Sequence, residues 1–442
     1  MRGWTVEQVA EAAGARLVEP GDRTTGPVRA VIDSRRAGAG DLFVGLPGEN
    51  VDGGRFAADV LGAGAWGVLV GESDPPTRGV EDPTGDGGVV LVAQDPLAAL
   101  QRLATAWRRE LGAAGCRTIG ITGSTGKTST KDLLAAMVGQ QRRTVATPLN
   151  LNTEIGLPLT VLSAPAGTEV LVLEMAMRGA GQIAELAAIA EPDVGVIVNV
   201  GPVHLELLGS IEAIAATKAE LIDGLQPGGT AVVPFGEPLL APHLGRADVA
   251  TVTFGPGGDV AELPDGLEIG VGTERLSAHM RSNALAALAA ARAIGVEPAG
   301  RVEVALSELR GQRVELPGDI VVVNDCYNAN PMSMRAALDD LAASASGRRL
   351  AVLGDMLELG PDEVRFHEEI GAHARATGVD LLVTVGPLAA AMGPAFGGET
   401  VATPDAAAAL KALRGLLQPG DTVLVKASRG VGLEVVAQGL AA

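Results

Sequence analysis

The chain has little cysteine, few aromatics and few lysines, and its positive charge is outweighed. Cys116 and Cys326 are the two cysteines among 442 residues. That excludes a disulfide framework and a cysteine-rich metal site, and it fits a reducing, cytoplasmic location. Aromatics make up 2% of the chain, with a single tyrosine. Cores must therefore be built from Ala, Val, Leu and Ile, and stacking platforms for single-stranded nucleic acid are scarce. The 34 Lys and Arg against 53 Asp and Glu leave a formal charge of −19. A basic face for phosphate-backbone or anionic-lipid binding is thus missing, and no nucleic-acid partner is expected. No uncharged apolar run is long enough to span a bilayer, so no membrane insertion is expected. Residues 1–7 carry no apolar run before a cleavage site, so no signal peptide is expected.

What is present points to several α/β units. Hydrophobic residues make up 47% of the chain, and at roughly 100–200 residues per domain the length suits three. Short β-branched runs alternate with Ala/Leu-rich helical stretches. The reading divides the chain at 1–112, 113–310 and 311–442. The first is a small α/β unit with strands at 41–46 and 66–70 and a Gly/Pro/Asp-rich surface excursion at 71–88. The second has strands at 118–122, 169–175 and 194–200 and helices at 127–140, 182–190, 211–225 and 283–294. Its fully apolar strands suit a parallel sheet covered on both faces. The third has strands at 320–323, 350–353, 381–385 and 422–425 alternating with helices at 333–343, 362–376, 406–417 and 432–439. That is a doubly wound, Rossmann-like pattern, whose ligands sit at the carboxyl ends of the strands.

The most specific local feature is Gly120-Ile121-Thr122-Gly123-Ser124-Thr125-Gly126-Lys127-Thr128-Ser129, between a strand and a helix. Gly123 and Gly126 let backbone N–H groups turn inward, and the helix N-terminus adds positive potential. Lys127 can reach terminal phosphates and the Thr128 hydroxyl can hold Mg²⁺. The strict P-loop spacing would place glycine at Ile121, so this is a variant phosphate loop. Residues 123–129 are read as an ATP site. Most of the positive charge is arginine, and the five lysines are Lys127, Lys131, Lys218, Lys411 and Lys426. An ammonium meets phosphate as a compact point charge and a neutral amine can be modified, neither of which guanidinium does well.

The loop form T-G-[ST]-x-G-K-[ST] resembles that of the Mur ligases and the related folylpolyglutamate synthases. Residues 31–46, VIDSRRAGAGDLFVGL, resemble the D-S-R-x-x-x-x-G-D-L-F-V-A-L signature of the N-terminal UDP-binding domain of Mur ligases. Residues 150–160, NLNTEIGLPLT, are similar to N-x-N-x-E-I-G-x-P-L-T. Residues 324–331, NDCYNANP, and 352–360, VLGDMLELG, resemble the branch that adds D-alanyl-D-alanine. The resemblance runs through all three units, from about residue 30 to 435. It implies a small UDP-substrate domain, a central parallel-sheet P-loop ATPase domain and a C-terminal Rossmann-like domain.

The implied activity is ATP-dependent amide-bond formation between UDP-N-acetylmuramoyl-tripeptide and D-alanyl-D-alanine through an acyl phosphate, in peptidoglycan precursor synthesis. A carboxylate attacking a polyanion needs cations and N–H donors around the γ-phosphate. Lys127 and the loop amides meet that need, with Mg²⁺, expected as two ions. The resemblance makes Glu174 a Mg²⁺ ligand beside Thr128 and His204 a ligand of the second metal. It makes Lys218 the lysine that CO₂ converts to a carbamate, an oxygen anion able to bind Mg²⁺. That step needs a neutral amine, so burial or cationic neighbours should lower the Lys218 pKa. The resemblance also implies adenine contact by Asn283 and nucleotide contact by Arg310 and Asp325 of the closing C-terminal domain, with Arg313 a rival to Arg310. Ser34 and Arg35 are implied on the uridine diphosphate, Asn150, Asn152 and Thr153 along the central substrate segment, and Asn328, Asn330, Ser428 and Arg429 on the dipeptide side. A monomer is expected.

Three departures stand out. Residues 52–56, DGGRF, place Gly54 where the family has histidine, with Arg55 as a candidate replacement. Gln312 stands where an acid is usual, and the stretch 254–276 is short. Competing readings are a sister Mur-type or folylpolyglutamate-type ligase, and a nucleotide-binding paralogue without activity. Retention of Lys127, Thr128, Glu174, His204 and Lys218 together speaks against the last.

Overall fold

The computed structural model describes residues 1, 3–21, 24–48, 51–72, 88–271 and 276–441. Most of the expected surface excursion at 71–88, and part of the short 254–276 stretch, lie outside them. The architecture is α/β, built on three main sheets.

The first sheet holds β1 (Arg16–Glu19), β2 (Arg29–Val31), β3 (Asp41–Val44), β4 (Gly67–Gly71) and β5 (Val89–Ala93) in the order β1-β5-β4-β3-β2, parallel except for β1. Helix Pro96–Ala113, capped by Asp95, carries the chain into the second unit. Trp107 donates its indole N–H to the Ala164 carbonyl at 2.9 Å and Arg108 donates to the Ala190 carbonyl at 2.8 Å. Trp4 meets Trp107 edge-on. The first two units therefore share one continuous apolar core.

The second sheet holds β6 (Arg117–Thr122), β7 (Thr144–Ala146), β8 (Val170–Glu174), β9 (Val194–Ile197), β10 (Thr230–Pro234) and β11 (Ala250–Phe254). All are parallel, in the order β11-β10-β9-β6-β8-β7. Helices cover both faces, which is why the strands are apolar throughout. Ile119 and Ile121 face helices Lys127–Gly139 and Ala278–Ala293. On the other face Gly120 and Gly195 are paired across β6 and β9. A Cβ on Gly120 would lie 3.0 Å from Leu221 Cδ1, and one on Gly195 3.0 Å from Leu221 Cγ. The missing side chains let helix Ile211–Asp223 sink onto the sheet.

A two-stranded parallel pair, β12 (Leu267–Gly270) and β13 (Gly300–Glu303), flanks this unit. The third sheet holds β14 (Gln312–Leu316), β15 (Ile320–Asn324), β16 (Arg349–Gly354), β17 (Leu381–Val385), β18 (Glu399–Thr403) and β19 (Thr422–Lys426). Its order is β14-β15-β19-β16-β17-β18, parallel except for the β14 edge. Apolar clusters lie on both of its faces.

Several boundaries differ from expectation for local reasons. The helix expected from 283 begins at Ala278, because the Ser277 hydroxyl caps it by accepting from Met280 N–H. Asn283 is thus in its second turn. β9 stops at Ile197 rather than 200, because Asn199 turns to brace the phosphate loop. Residues 156–163 form a helix that the Gly and Pro content concealed, Pro158 being tolerated in its first turn. The last helix is Glu434–Ala441, and helix Ala406–Arg414 ends three residues before the expected 417.

Candidate functional site

A cleft of about 1410 Å³ opens between the second and third units, over the carboxyl ends of β6, β8 and β15. The phosphate loop forms its floor. Gly123 and Gly126 adopt φ of 156° and 76°, and a Cβ on Gly126 would lie 2.5 Å from Asn283 Oδ1. The backbone conformation and the buried Asn283 amide both require glycine there. Asn199 accepts from Thr125 N–H at 2.9 Å and donates to the Thr125 carbonyl and hydroxyl. The Ser124 hydroxyl donates to the Gly201 carbonyl and accepts from Gly201 N–H. Asn199 is a missed residue; its signal was a polar side chain at the end of an apolar strand.

Lys127 Nζ lies at the loop, donating to the Gly123 carbonyl at 2.7 Å. Burial lowers its pKa from the usual lysine value, Glu174 opposes that shift, and Arg310 adds to it. Thr128 is buried on the first helical turn, and its hydroxyl accepts from Arg310 Nη2 at 3.2 Å. Ser129 also lines the cleft. Glu174 ends β8 and is buried. Its Oε1 accepts from the Asn152 amide at 2.8 Å, while its Oε2 is buried with no hydrogen-bond partner. Thr147, another residue not singled out in advance, accepts from Glu174 N–H at 2.9 Å and fixes the strand end. A buried carboxylate oxygen without a donor is matched to a cation.

Lys218, on helix Ile211–Asp223, is 1% exposed. Met177 Sδ lies 3.9 Å from its Nζ. Burial first, and Lys127 second, push its pKa well below the ordinary value, the direction that favours the neutral amine carbamate formation needs. His204 stands in left-handed conformation, φ 53°, with Nδ1 2.5 Å from Glu358 Oε2 of the third unit. Burial pulls its pKa down, and Glu358 acts against this. Thr128, Glu174 and His204 therefore line the cleft and Lys218 is buried near His204, while the described residues include no cluster of three His, Cys, Asp or Glu side chains able to hold a metal. Magnesium coordination here would draw on Thr128, Glu174, nucleotide oxygens and water.

Arg310 stacks on the Tyr327 ring at 3.9 Å, between left-handed Leu309 and Gly311. Its rival Arg313 sits on β14 and reaches Ser344 at 3.4 Å. Arg310 is the arginine at the loop. Asp325 follows β15 and meets the buried Lys426 at 2.5 Å, and Lys426 also donates to the Asn328 carbonyl at 3.0 Å. Of the five lysines only Lys411 is exposed; Lys131 is structural, held by Asp132 and the Thr147 carbonyl.

Asn150, Asn152, Thr153, Asn328 and Asn330 line the cleft. Asn330 Oδ1 already caps helix Pro331–Ser344. Ser428 and Arg429 lie outside the lining. The Ser428 hydroxyl ties Leu357 N–H to the Ala329 carbonyl, and Arg429 pairs with Glu434. Ser34 and Arg35 are also outside it, in a short turn of the first unit, with Arg35 paired to Asp33. Gly54 is buried in the 53–56 turn, and Arg55 stacks on Phe56 at 5.5 Å. Gln312 is exposed on the β14 edge.

A variant phosphate loop, a buried carboxylate, a buried amine and a histidine facing a doubly wound unit fit the ATP-dependent ligases of the Mur type that the motifs resemble. Residues 121–291 match the Mur ligase middle domain, and residues 309–429 match the Mur ligase, glutamate ligase domain. The UDP-N-acetylmuramoyl-tripeptide–D-alanyl-D-alanine ligase of Mycobacterium leprae is 39% identical, covering 98% of this chain and 97% of its own. A crystal structure of MurF from Acinetobacter baumannii superimposes with a TM-score of 0.83 at 28% identity, over 99% of this chain and 98% of its own. MurF from Thermotoga maritima, solved with ADP, has a TM-score of 0.76 at 30% identity, over 93% and 97%. The chain belongs to the Mur ligase family, in its MurF branch.

Proposed function

We propose that this protein joins D-alanyl-D-alanine to UDP-N-acetylmuramoyl-tripeptide at the expense of ATP, in peptidoglycan precursor synthesis. The tripeptide's terminal carboxylate attacks the γ-phosphorus, and ADP leaves. The dipeptide amine then attacks the acyl-phosphate carbonyl, loses a proton, and inorganic phosphate departs with the C–O bond electrons. The observation that carries this reading is that Lys127, Thr128, Glu174 and His204 line one interdomain cleft, with Lys218 buried close enough to act on His204 and Lys127.

Each side chain has a role. Lys127 and the amides of residues 123–129 hold the phosphates and offset charge on the transferring group. Asn283 lies against the loop for the adenine, with Arg310 and Asp325 as contacts from the linker and the third unit. Thr128 and Glu174 would hold Mg²⁺, with His204 and a Lys218 carbamate serving a second ion; bound metal supplies charge neutralisation between the two anions. The orphaned Glu174 Oε2 fits this set. Asn150, Asn152 and Thr153 face the tripeptide, and Asn328 and Asn330 the dipeptide. Ser34 and Arg35 remain assigned to the uridine diphosphate on the first domain, and buried Ser428 and exposed Arg429, which pairs with Glu434, to the dipeptide side. We take 1–112, 113–310 and 311–442 as the three domains of a cytoplasmic monomer.

Purified protein with Mg²⁺, ATP and UDP-N-acetylmuramoyl-tripeptide should release phosphate in a manner dependent on D-alanyl-D-alanine, with the pentapeptide product seen by mass. ATP binding without phosphate release under any amine acceptor would turn the reading to a paralogue that has lost ligation.

A further inference from the structure

His204 and Glu358 are brought together from different units, and both stand in left-handed backbone conformation, φ 53° and 63°. Neither is glycine, so each position carries local backbone strain. Strain at both ends of one contact is what a fixed geometry requires. The two segments are also held firmly. On the third-unit side, Met356 N–H donates to His367 Nε2 at 2.9 Å and Leu357 N–H to the Ser428 hydroxyl at 3.0 Å. These anchors immediately precede Glu358. On the second-unit side, Leu205 packs against the third unit's core. A Cβ on Gly360 would lie 3.4 Å from Glu206 Cα, so the two loops run in close contact.

Neutral imidazole has one donor and one acceptor nitrogen, and the partner of one nitrogen decides the state of the other. An ionised carboxylate can only accept. Facing Glu358 Oε2, His204 Nδ1 must carry the hydrogen, which leaves the Nε2 lone pair on the side away from Glu358. His204 lines the cleft, and Lys127 and Lys218 lie close enough to influence it.

We propose that Glu358 is a positioning residue that fixes the tautomer and orientation of His204, so that docking of the C-terminal domain prepares the histidine for the reacting end of the cleft. This rests on the reading of His204 as a residue of the ligase site. It gives the third unit a second task besides nucleotide contact: Glu358 reaches the ring from outside the cleft while Arg310 and Asp325 face its interior. A carboxylate behind a histidine is a recurring arrangement where the histidine's free nitrogen meets a metal ion.

The test uses full-length, ligand-free protein with ¹⁵N-labelled histidine, at a pH well above the imidazole range. The His204 signals are assigned by their loss in His204→Gln. In the parent protein the Nδ1-protonated form is expected. Glu358→Gln keeps an acceptor oxygen and should retain that form, whereas Glu358→Ala should revert to the Nε2-protonated form that free imidazole prefers. In the ligation assay Glu358→Ala should lower kcat about 10-fold with the KM for ATP unchanged, and Glu358→Gln should restore most of it. An Nε2-protonated His204 in the parent, signals unmoved in Glu358→Ala, or a lost tautomer with undiminished turnover would each overturn the proposal. If the tautomer follows Glu358 but no amine is ligated, the functional reading fails and the positioning stands. If ligation proceeds while the tautomer ignores Glu358, the positioning alone fails.

Discussion

Asn152 donates its side-chain amide to Glu174 Oε1 at 2.8 Å and leaves Glu174 Oε2 as the unpartnered oxygen. The amide both aims the carboxylate and prevents it from turning. Asn152→Ala frees that rotation and removes the donor. Half-saturation by Mg²⁺ should rise about 10-fold, as measured by titrating Mg²⁺ in the phosphate-release assay, while thermal stability changes little.

Lys218 places chemistry and stability in opposition. Its amine is desolvated and its pKa sits well below 10.5. The unfolded chain binds the proton that the folded chain rejects, so this group's unfavourable contribution grows as pH falls from about 10.5 toward the folded value. Lys218→Met removes the desolvated amine at similar volume. It should raise the melting temperature by a few degrees and abolish ligation. In ¹³C-bicarbonate the parent should show a carbamate carbonyl signal that is absent from Lys218→Met.

Lys426 and Asp325 form a pair in which the lysine is almost wholly buried. Removing one member strands the other, so Lys426→Met should destabilise the C-terminal domain by about 3 kcal/mol. Denaturant unfolding reads the loss. The double variant Lys426→Met/Asp325→Asn should recover part of the stability without recovering activity.

His367 is fully buried, with Nδ1 2.7 Å from the Glu363 carbonyl and Nε2 accepting from Met356 N–H. Only the neutral ring satisfies both, and burial lowers its pKa from 6.5. The stabilisation is therefore complete above about 6.5 and declines as pH falls from there toward the folded value. His367→Ala should remove on the order of 3 kcal/mol and flatten stability against pH between 7 and 5, roughly the imidazole range, followed by thermal melts.

Leu309 and Gly311, both left-handed, flank Arg310 where the chain passes from the second unit to the third. The units touch through Arg310 with Thr128, His279 with Asp340 at 3.3 Å and His204 with Glu358, and Leu205 packs on the third unit's core. A hinge around Gly311 would make and break these contacts. Scattering curves recorded with and without an ATP analogue plus the tripeptide substrate should differ. Superimposable curves would count against the hinge.

The parallel sheets were legible because their strands are continuous apolar runs separated by Ala-rich helices, and the phosphate loop because its glycines and lysine follow such a strand. No strand is expected at β1, β2, β5, β7, β10 to β14 or β18; most of these are short or half-exposed segments, although β5 is a buried apolar run beside the Gly/Pro-rich excursion. Site residues supplied by a single motif were legible, as with Lys127 and Glu174. Asn199, Tyr327 and Glu358 act through partners 74, 17 and 154 residues away, and no local pattern marks such pairings. The Ser428 hydroxyl also bridges Leu357 N–H and the Ala329 carbonyl, a pairing no local pattern marks.

The facing glycines at 120 and 195 set how deep the helix bearing Lys218 can lie. Leu221, three residues beyond that lysine, fills the hollow they leave. A single methyl group at either strand position would act as a shim, lifting the helix and carrying the amine toward water. The desolvation that lowers the pKa of the amine is thus governed from the sheet beneath the helix by two hydrogen atoms that stand in place of side chains.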